Sequence, residues 1–247
     1  MSPPVALGAC AAFVALLLGT AASLGGAARA DEGPDKLRNW PKSKDLDGEA
    51  VCTYETYAWS VTKKTGVGRH TVTKTRAELM PEESDPSDAR CTVCSEDQVA
   101  VQVQGLPPVT VCRHHAEAVR AALTAVRESK AFTVQSLVGY RVGRTRGAVV
   151  DTLRTAFSNH SYGTAIDINA RTNGLYNRCA TPAVPQRAGD IAHCKLGVGG
   201  RWDPRRNPKV TIAEGGVVHQ AFTAFWKWGG ARGDKIKDFM HFSITGE

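Results

Sequence analysis

The amino-acid sequence predicts an α+β fold in which a small β module precedes a mixed domain of helices and strands. Residues 52–112 alternate between apolar and polar side chains, which is typical of strands. From residue 115 onward the apolar residues recur at helical spacing instead. The later strands and helices do not alternate regularly, so we do not expect the parallel sheet of a βαβ protein.

The first 30 residues are predicted to be a signal peptide. An apolar run extends from Val5 to Leu24, and Ala28-Arg29-Ala30 has the small-x-small pattern of a cleavage site. No lysine or arginine precedes the run, so an uncleaved membrane anchor is the alternative, because the run approaches the ~20 residues that span a bilayer. Both interpretations predict export, to the periplasm, the cell envelope or the medium. We expect no other membrane span.

Composition narrows the classes of partner. About 215 residues would remain after cleavage, enough for one catalytic domain and a small module. The chain has 31 Lys+Arg against 24 Asp+Glu, a balance that favours anionic surfaces such as cell-wall polymers. Its basic residues are scattered and form no nucleic-acid-binding motif, so we expect no nucleic-acid partner. We expect a monomer.

Cysteine usage fits an exported protein. One of the seven cysteines, Cys10, lies in the predicted signal. The other six are Cys52, Cys91, Cys94, Cys112, Cys179 and Cys194. An even number in an oxidising compartment predicts up to three disulfides, with the connectivity left open. The alternative is a structural zinc ribbon, because Cys91-x-x-Cys94 is followed by Cys112-Arg113-His114-His115.

Residues 31–114 are predicted to form a polar lead-in, to about residue 50, and then a cysteine-stapled β module of two hairpins. The predicted strands and turns are a strand at 54–62, a turn at 65–68, a strand at 70–73, and a second hairpin with strands at 99–103 and 109–111. The function of this module is not evident from its residues.

Residues 115–247 are predicted to form the catalytic domain. Its predicted elements are a helix at 115–129, a strand at 132–138, a loop rich in glycine and arginine to 147, a short helix at 151–157, a strand at 165–169, a long loop at 171–210 stapled by Cys179 and Cys194, a helix at 217–225 and a strand at 238–244. In the strand at 165–169, Asp167 should face the site.

Two segments about 70 residues apart carry the candidate chemistry. His160 and Asp167 lie in the first, Ser158 to Asn169, and His241 lies in the second, Asp238 to Phe242. Two imidazoles and one carboxylate can hold zinc and leave one position open for a water that the metal acidifies. The spare carboxylate, Asp238, can take a proton from that water and return it to a leaving amine.

Residues three apart in a regular strand point to opposite faces. We therefore expect Asp238 in the turn before the strand of His241, or a bulge between the two residues.

The combined pattern resembles the zinc D-alanyl-D-alanine metallopeptidases. The pattern is Ser-x-His-x-x-Gly-x-Ala-x-Asp-Ile-Asn from residue 158, Trp-Gly-Gly from 228 and Asp-x-Met-His-Phe from 238. This family includes D-Ala-D-Ala carboxypeptidases and dipeptidases and phage L-alanyl-D-glutamate endopeptidases, and it shares a fold with the Hedgehog signalling domain. The resemblance covers residues 115–247 and implies a Hedgehog-like antiparallel sheet with helices.

Roles follow from the resemblance residue by residue. It implies that His160, Asp167 and His241 bind Zn²⁺ and that Asp238 is the catalytic acid/base. Ser158 matches a substrate-contacting serine. Arg141, in Gly139-Tyr140-Arg141, falls where the family places an arginine that contacts the substrate and the oxyanion. The loop Arg144-Thr145-Arg146 is one possible source of a cation for the substrate's terminal carboxylate.

Two departures from the family concern the substrate. Ala231-Arg232-Gly233 follows Trp228-Gly229-Gly230 where many relatives have another tryptophan, and Ser243 stands where relatives often have glutamate. We expect both near the mouth of the cleft.

The sequence thus predicts an exported zinc metallopeptidase that hydrolyses peptidoglycan stem peptides as a D-alanyl-D-alanine carboxypeptidase does. The bond cut, D-Ala-D-Ala, L-Ala-D-Glu or a cross-link, stays open. The alternative function is a non-catalytic cell-wall or partner-binding module on the same fold, which would not need Asp238.

Overall fold

The computed structural model describes residues 50–180 and 183–247. All of them belong to one compact unit. The predicted signal peptide and most of the polar lead-in lie outside the described residues. Among the residues described, no helix has the length and apolar character needed to cross a membrane.

The described residues form fifteen strands, two α-helices and several short 3-10 turns. The strands are β1 (Val51–Ser60), β2 (Thr65–Thr75), β3 (Ser84–Asp85), β4 (Asp88–Thr92), β5 (Gln98–Val101), β6 (Val109–Cys112), β7 (Leu137–Val138), β8 (Arg144–Val150), β9 (Leu153–Phe157), β10 (Ala165–Ile168), β11 (Leu175–Asn177), β12 (Lys195–Val198), β13 (Lys227–Trp228), β14 (Lys237–Asp238) and β15 (His241–Ser243). The helices are α1 (Ala116–Ser129) and α2 (Val217–Thr223). The predicted α+β class is confirmed.

The strands form three sheets and two separate hairpins. The sheet orders are β2-β1-β8-β9, β13-β15-β10-β7 and β12-β11-β14, and the hairpins are β3-β4 and β5-β6. All pairings are antiparallel except a single residue pair between β1 and β8. In the second sheet, β10 and β15 are neighbours, and their register sets Asp167 directly opposite His241.

The helix predicted at 115–129 is confirmed as α1. Its apolar face is buried (Ala116, Val119, Ala122, Leu123 and Val126), as the helical spacing predicts. The helix ends at Lys130, whose φ of 56° places it in the left-handed region typical of a helix end. The buried face of α1 belongs to a core that also contains Ile166, Ile168 and Phe242 from the site sheet.

The helix predicted at 151–157 is wrong, because Leu153–Phe157 is strand β9. Asp151 and Thr152 both have positive φ and form the turn between β8 and β9. The strand then pairs with β8 from Arg144↔Phe157 to Val150↔Leu153. Pairing with a neighbouring strand therefore overrides the local helical tendency of this segment.

Several other predicted elements differ in extent, among them the long loop predicted at 171–210, which contains β11 and β12, and the strand predicted at 238–244, which is divided into β14 and β15. The first hairpin turns at residues 61–64, before the predicted 65–68, because β2 already begins at Thr65. The strand predicted at 132–138 shrinks to β7. The main-chain N–H groups of Gln135 and Ser136 donate instead to the side-chain oxygen of Asn169, at 2.6 and 3.1 Å, so no neighbouring strand is required.

Three disulfides are present, as the cysteine count predicts. They join Cys52 to Cys94, Cys91 to Cys112 and Cys179 to Cys194. The first two use all the cysteines of the alternative zinc ribbon, so those thiols are not available as zinc ligands. The third closes the long loop as expected.

The division of the chain at residue 114 into a β module and a catalytic domain stays a prediction. In the structure, residues on both sides of that position share a core. One buried cluster joins Cys52 and Tyr54 with Val142, Phe157 and Tyr162. Strand β1 also pairs with β8 and β9.

Candidate metal centre

The structure brings together the three residues predicted to bind a metal. His160 lies in a 3-10 turn, Asn159–Tyr162, that leads into β10, where Asp167 is located. His241 is the first residue of β15, the neighbouring strand. One ligand atom from each residue lies within 4.8 Å of the others. Both histidines are buried, which is typical of a metal site inside the fold and not of a cluster on the surface.

Glycines let the main chain close around His160. Gly163 ends the 3-10 turn with φ of 70°, and an added Cβ there would lie 2.0 Å from Gln98 Oε1 and 2.3 Å from the Cys112 nitrogen. Gly139 is equally confined, since its Cβ would lie 2.1 Å from the Thr110 oxygen. Only glycine fits at either position without displacing β5, β6 or both.

Main-chain oxygens fix the proton on each histidine. His160 Nδ1 lies 2.8 Å from the Gly139 oxygen, and His241 Nε2 lies 2.9 Å from the Glu247 main-chain oxygen. Because these oxygens can only accept, the ring nitrogens facing them carry the protons. His160 Nε2 and His241 Nδ1 are then the nitrogens that a bound cation would meet.

Both free nitrogens face Asp167. His160 Nε2 is 3.2 Å from Asp167 Oδ2, and His241 Nδ1 is 2.9 Å from Asp167 Oδ1. Lone pairs of acceptors at such separations repel unless a cation or proton lies between them. Zinc ligands in a tetrahedral site lie about 3.3 Å apart, since each is ~2.0–2.1 Å from the ion. The residues therefore fit a divalent metal such as zinc.

The electrostatics of Asp167 agree with this fit. Burial acts to raise the pKa of the Asp167 carboxyl, but the charges and hydrogen bonds of His160 and His241 outweigh burial and hold it well below its usual range. Asp167 is thus ionised, and it supplies the negative charge that a divalent cation requires.

Asp238 lies beside the metal ligands but outside the ligand set. It belongs to β14, which pairs with β11, and is separated from His241 by Phe239 and Met240. The expectation that Asp238 precedes the strand of His241 therefore holds, although Asp238 occupies a short strand of its own. Asp238 Oδ1 is buried and has no hydrogen-bond partner among the described residues.

Burial raises the pKa of Asp238 to about 6. This value is the net result, because the neighbouring carboxylate of Asp167 also acts to raise the pKa, while His241, Arg146 and Arg232 act in the opposite direction. A carboxyl group with a pKa near neutrality can both accept and donate a proton under physiological conditions.

Arg141 lies beside Asp167, and Ser158 lies two residues before His160 in the chain. Arg141 Nη2 is 3.7 Å from Asp167 Oδ2, and its side chain is 38% exposed, so the guanidinium borders the open side of the centre. Ser158 precedes the turn that carries His160, and its buried hydroxyl has no hydrogen-bond partner among the described residues.

The two departures from the family lie in different environments. Ala231, Arg232 and Gly233 line a cavity of about 500 Å³, together with His219, Thr223, Trp226, Lys227, Trp228, Asp234, Thr245, Gly246 and Glu247. The cavity adjoins the centre, because Glu247 also contacts His241. Ser243, by contrast, is fully buried opposite Ala165, so the expectation that it lies at the cleft mouth is wrong.

Some contributors to the site could not be identified from the sequence. The oxygens of Gly139 and Glu247 that contact the histidines belong to the main chain, so the pattern of side chains does not predict them. Tyr57 of β1 contacts Arg141 across 84 positions of sequence. An alternating strand gives no sign of such a distant partner.

One protein family matches part of the chain. Residues 152–244 match the model of a family described as D-alanyl-D-alanine carboxypeptidase. The match confirms the resemblance seen in the sequence, and it supports a peptidase that acts on peptides containing D-alanine. Neither the curated proteins nor the solved structures gave a significant match.

Proposed function

We propose that this protein is an exported zinc metallopeptidase that hydrolyses stem peptides of peptidoglycan, as a D-alanyl-D-alanine carboxypeptidase does. One observation carries the proposal. A nitrogen of each of two buried histidines converges on the Asp167 carboxylate, and the nearby Asp238 has a buried Oδ1 atom with no hydrogen-bond partner among the described residues. The family match supports the substrate class. The apolar run from Val5 to Leu24 and the three disulfides support export.

His160, Asp167 and His241 would hold the ion. When bound, zinc polarises the scissile carbonyl and lowers the pKa of a water molecule toward ~7. The protein's own part is to keep the two imidazoles in the correct tautomer, through Gly139 and Glu247, and to supply one negative charge through Asp167.

Asp238 acts as the general base and then as the general acid. Its carboxylate takes a proton from the attacking water, and the resulting carboxylic acid returns that proton to the leaving amine. Its pKa of about 6 suits both steps, because the ionised and protonated forms are close in free energy near neutral pH.

Two arginines have separate roles in this proposal. Arg141, on the open side of Asp167, stabilises the oxyanion that develops on the substrate carbonyl. Arg146 offers a cation to the substrate's terminal carboxylate, since its charge reaches Asp238. Arg144 is held elsewhere, because its Nη1 donates to the Thr155 oxygen at 2.6 Å and its guanidinium covers the Phe157 ring.

The alternative of a non-catalytic module is less favoured. A binding protein gains nothing from a carboxyl oxygen that is buried without a partner, because burial of the ionised form destabilises the fold. The position of Asp238 beside three metal-ligand candidates favours an enzyme.

The test uses purified protein and stem peptides of defined sequence, including pentapeptides ending in D-Ala-D-Ala and cross-linked dimers. Products are identified by mass spectrometry with zinc and after chelation. We expect release of terminal D-alanine that stops on chelation and resumes when zinc is restored. Release of D-glutamate-bearing fragments would identify the L-Ala-D-Glu bond instead. Absence of all hydrolysis by the zinc-loaded protein would contradict the proposal.

A further inference from the structure

Strand β1 reaches the candidate centre from outside the residues that match the family model. Its Tyr57 lies next to Arg141, and the Arg141 Nη1 group donates to Tyr57 Oη at 3.4 Å. The other terminal nitrogen of the same guanidinium, Nη2, lies 3.7 Å from Asp167 Oδ2. Arg141 thus lies between a tyrosine of the N-terminal segment and a candidate metal ligand.

Two glycines make room for the Tyr57 ring. A Cβ added at Gly143 would lie 2.6 Å from Tyr57 Cζ and 2.9 Å from its Oη, and a Cβ added at Gly66 would lie 2.6 Å from Tyr57 Cδ2. Gly66 is on β2, the hairpin partner of β1, and Gly143 follows Arg141 by two residues. The ring is therefore packed closely against the main chain at both glycines, which restricts its orientation.

Arg69 adds a third contact to the ring. Its guanidinium carbon is 5.2 Å from the centroid of the Tyr57 ring, within the range of a cation–π interaction. Arg69 itself is paired with Glu55 on β1. The hairpin β1-β2 thus supplies the tyrosine and two of the residues that restrain it, Gly66 and Arg69.

We propose that Tyr57 is a positioning residue that holds the Arg141 guanidinium at the open side of the metal centre. An unrestrained arginine forms a two-point pair with a nearby carboxylate, here Asp167, and would compete with a metal for the same oxygens. The Tyr57 hydroxyl engages Nη1 and leaves Nη2 directed toward the centre. This inference rests on the proposed function, and it assigns the N-terminal segment a part in building the site.

The first experiment measures hydrolysis kinetics of Tyr57→Phe, which keeps the ring and removes only the hydroxyl. We expect kcat to fall on the order of tenfold, because misplacement of an oxyanion-stabilising group acts on the transition state. KM and the bound zinc per protein should not change. In an Arg141→Ala background, Tyr57→Phe should have no further effect on kcat. An unchanged kcat, or an equal loss in both backgrounds, would overturn the proposal.

Tyr54→Phe is the matched control on the same strand. The Tyr54 hydroxyl donates to Glu83, away from the centre. We expect this variant to melt at a lower temperature while keeping the wild-type kcat. An equal fall of kcat in both variants would show a general effect of β1 and overturn the specific role of Tyr57.

A second experiment does not depend on activity. Melting temperatures of the metal-free wild type, Tyr57→Phe, Arg141→Ala and the double variant form a double-mutant cycle. Non-additive shifts support the contact, and additive shifts overturn the positioning role. An inactive wild type would contradict the proposed function, while the cycle would still decide whether Tyr57 holds Arg141.

Discussion

The Asp238 carboxyl group destabilises the fold for the same reason that suits it to the proposed proton transfer. Its Oδ1 atom is buried without a hydrogen-bond partner among the described residues, and burial raises its pKa to about 6. An ionised group with a raised pKa weakens the folded state at neutral pH. Such local cost at a reactive group is common in enzymes.

Asp238→Asn should separate activity from stability. We expect hydrolysis to fall by a factor on the order of 10² or more, because a carboxamide cannot transfer the proton. The free energy of unfolding of the metal-free protein at neutral pH should rise by about 2–3 kcal/mol, because the cost of ionising Asp238 is removed. Peptide hydrolysis and urea denaturation measure the two effects.

Asp190→Asn is the control for this substitution. The Asp190 carboxylate is half-buried, pairs with Arg187 and is not among the residues of the candidate centre, so its removal should not change hydrolysis. Undiminished hydrolysis by Asp238→Asn would contradict the proposed role of Asp238.

The dependence on pH follows from the same carboxyl group. Activity should decline as pH falls through about 6, because the general base must be ionised, and a bound cation would move this limb to lower pH. Between pH 3.8 and about 6 the folded metal-free protein keeps a proton that the unfolded chain releases, so the stability contribution of Asp238 declines as pH rises.

Subtracting the stability profile of Asp238→Asn from that of the wild type isolates this contribution. A difference that does not vary between pH 4 and pH 6 would show that Asp238 ionises normally in the folded state.

At the scale of elements, the site depends on how closely the turn after β13 approaches β14 and β15. Gly229 follows β13, and a Cβ added there would lie 2.6 Å from the main-chain oxygen of Asp238 and 3.3 Å from His241 Cβ. Trp228, one residue earlier, is buried and donates through Nε1 to the Phe239 oxygen at 3.0 Å. These contacts fix Asp238 and His241 relative to each other.

Gly229→Ala should disturb both groups. We expect a loss of about 1–3 kcal/mol in the free energy of unfolding, because the added methyl group overpacks this region. Hydrolysis should fall at least tenfold, since Asp238 and His241 must move. Gly189→Ala is the control, because among the described residues no atom beyond its chain neighbours lies within 4 Å of a Cβ at that position. Wild-type activity in Gly229→Ala would show that the site tolerates such a displacement.

At the scale of the whole molecule, two disulfides hold the N-terminal strand near the centre. Cys52–Cys94 anchors β1, the strand of Tyr57, and Cys91–Cys112 ties β4 to β6. The main chain of β6 in turn contacts Gly139 and Gly163 beside His160. The fold thus links the covalent framework of the N-terminal segment to the candidate ligands.

Removal of Cys52–Cys94 by the double change to alanine should cost about 4 kcal/mol in unfolding, from the closure entropy of its loop. Removal of Cys179–Cys194 should cost about 3 kcal/mol because its loop is shorter. Only the first change should also lower kcat, since it loosens β1. Urea denaturation and peptide hydrolysis measure both effects. Equal losses of kcat in the two variants would contradict a special role for β1.

The sequence alone determined the chemistry of the candidate centre. His160, Asp167, His241 and Asp238 were identified by side-chain type and spacing, and the structure brings them together. Helix α1 and strand β10 were also predictable, because their apolar periodicity is local. These features depend on residues that are near in sequence or unambiguous in chemistry.

Only the tertiary structure decided the rest. It made Leu153–Phe157 a strand through pairing with β8, and it chose the disulfide partners among several allowed connectivities. It also set the histidine tautomers through main-chain oxygens and brought Tyr57 to Arg141. Each of these features depends on contacts between distant parts of the chain. Local patterns of residues do not predict the energy of such contacts.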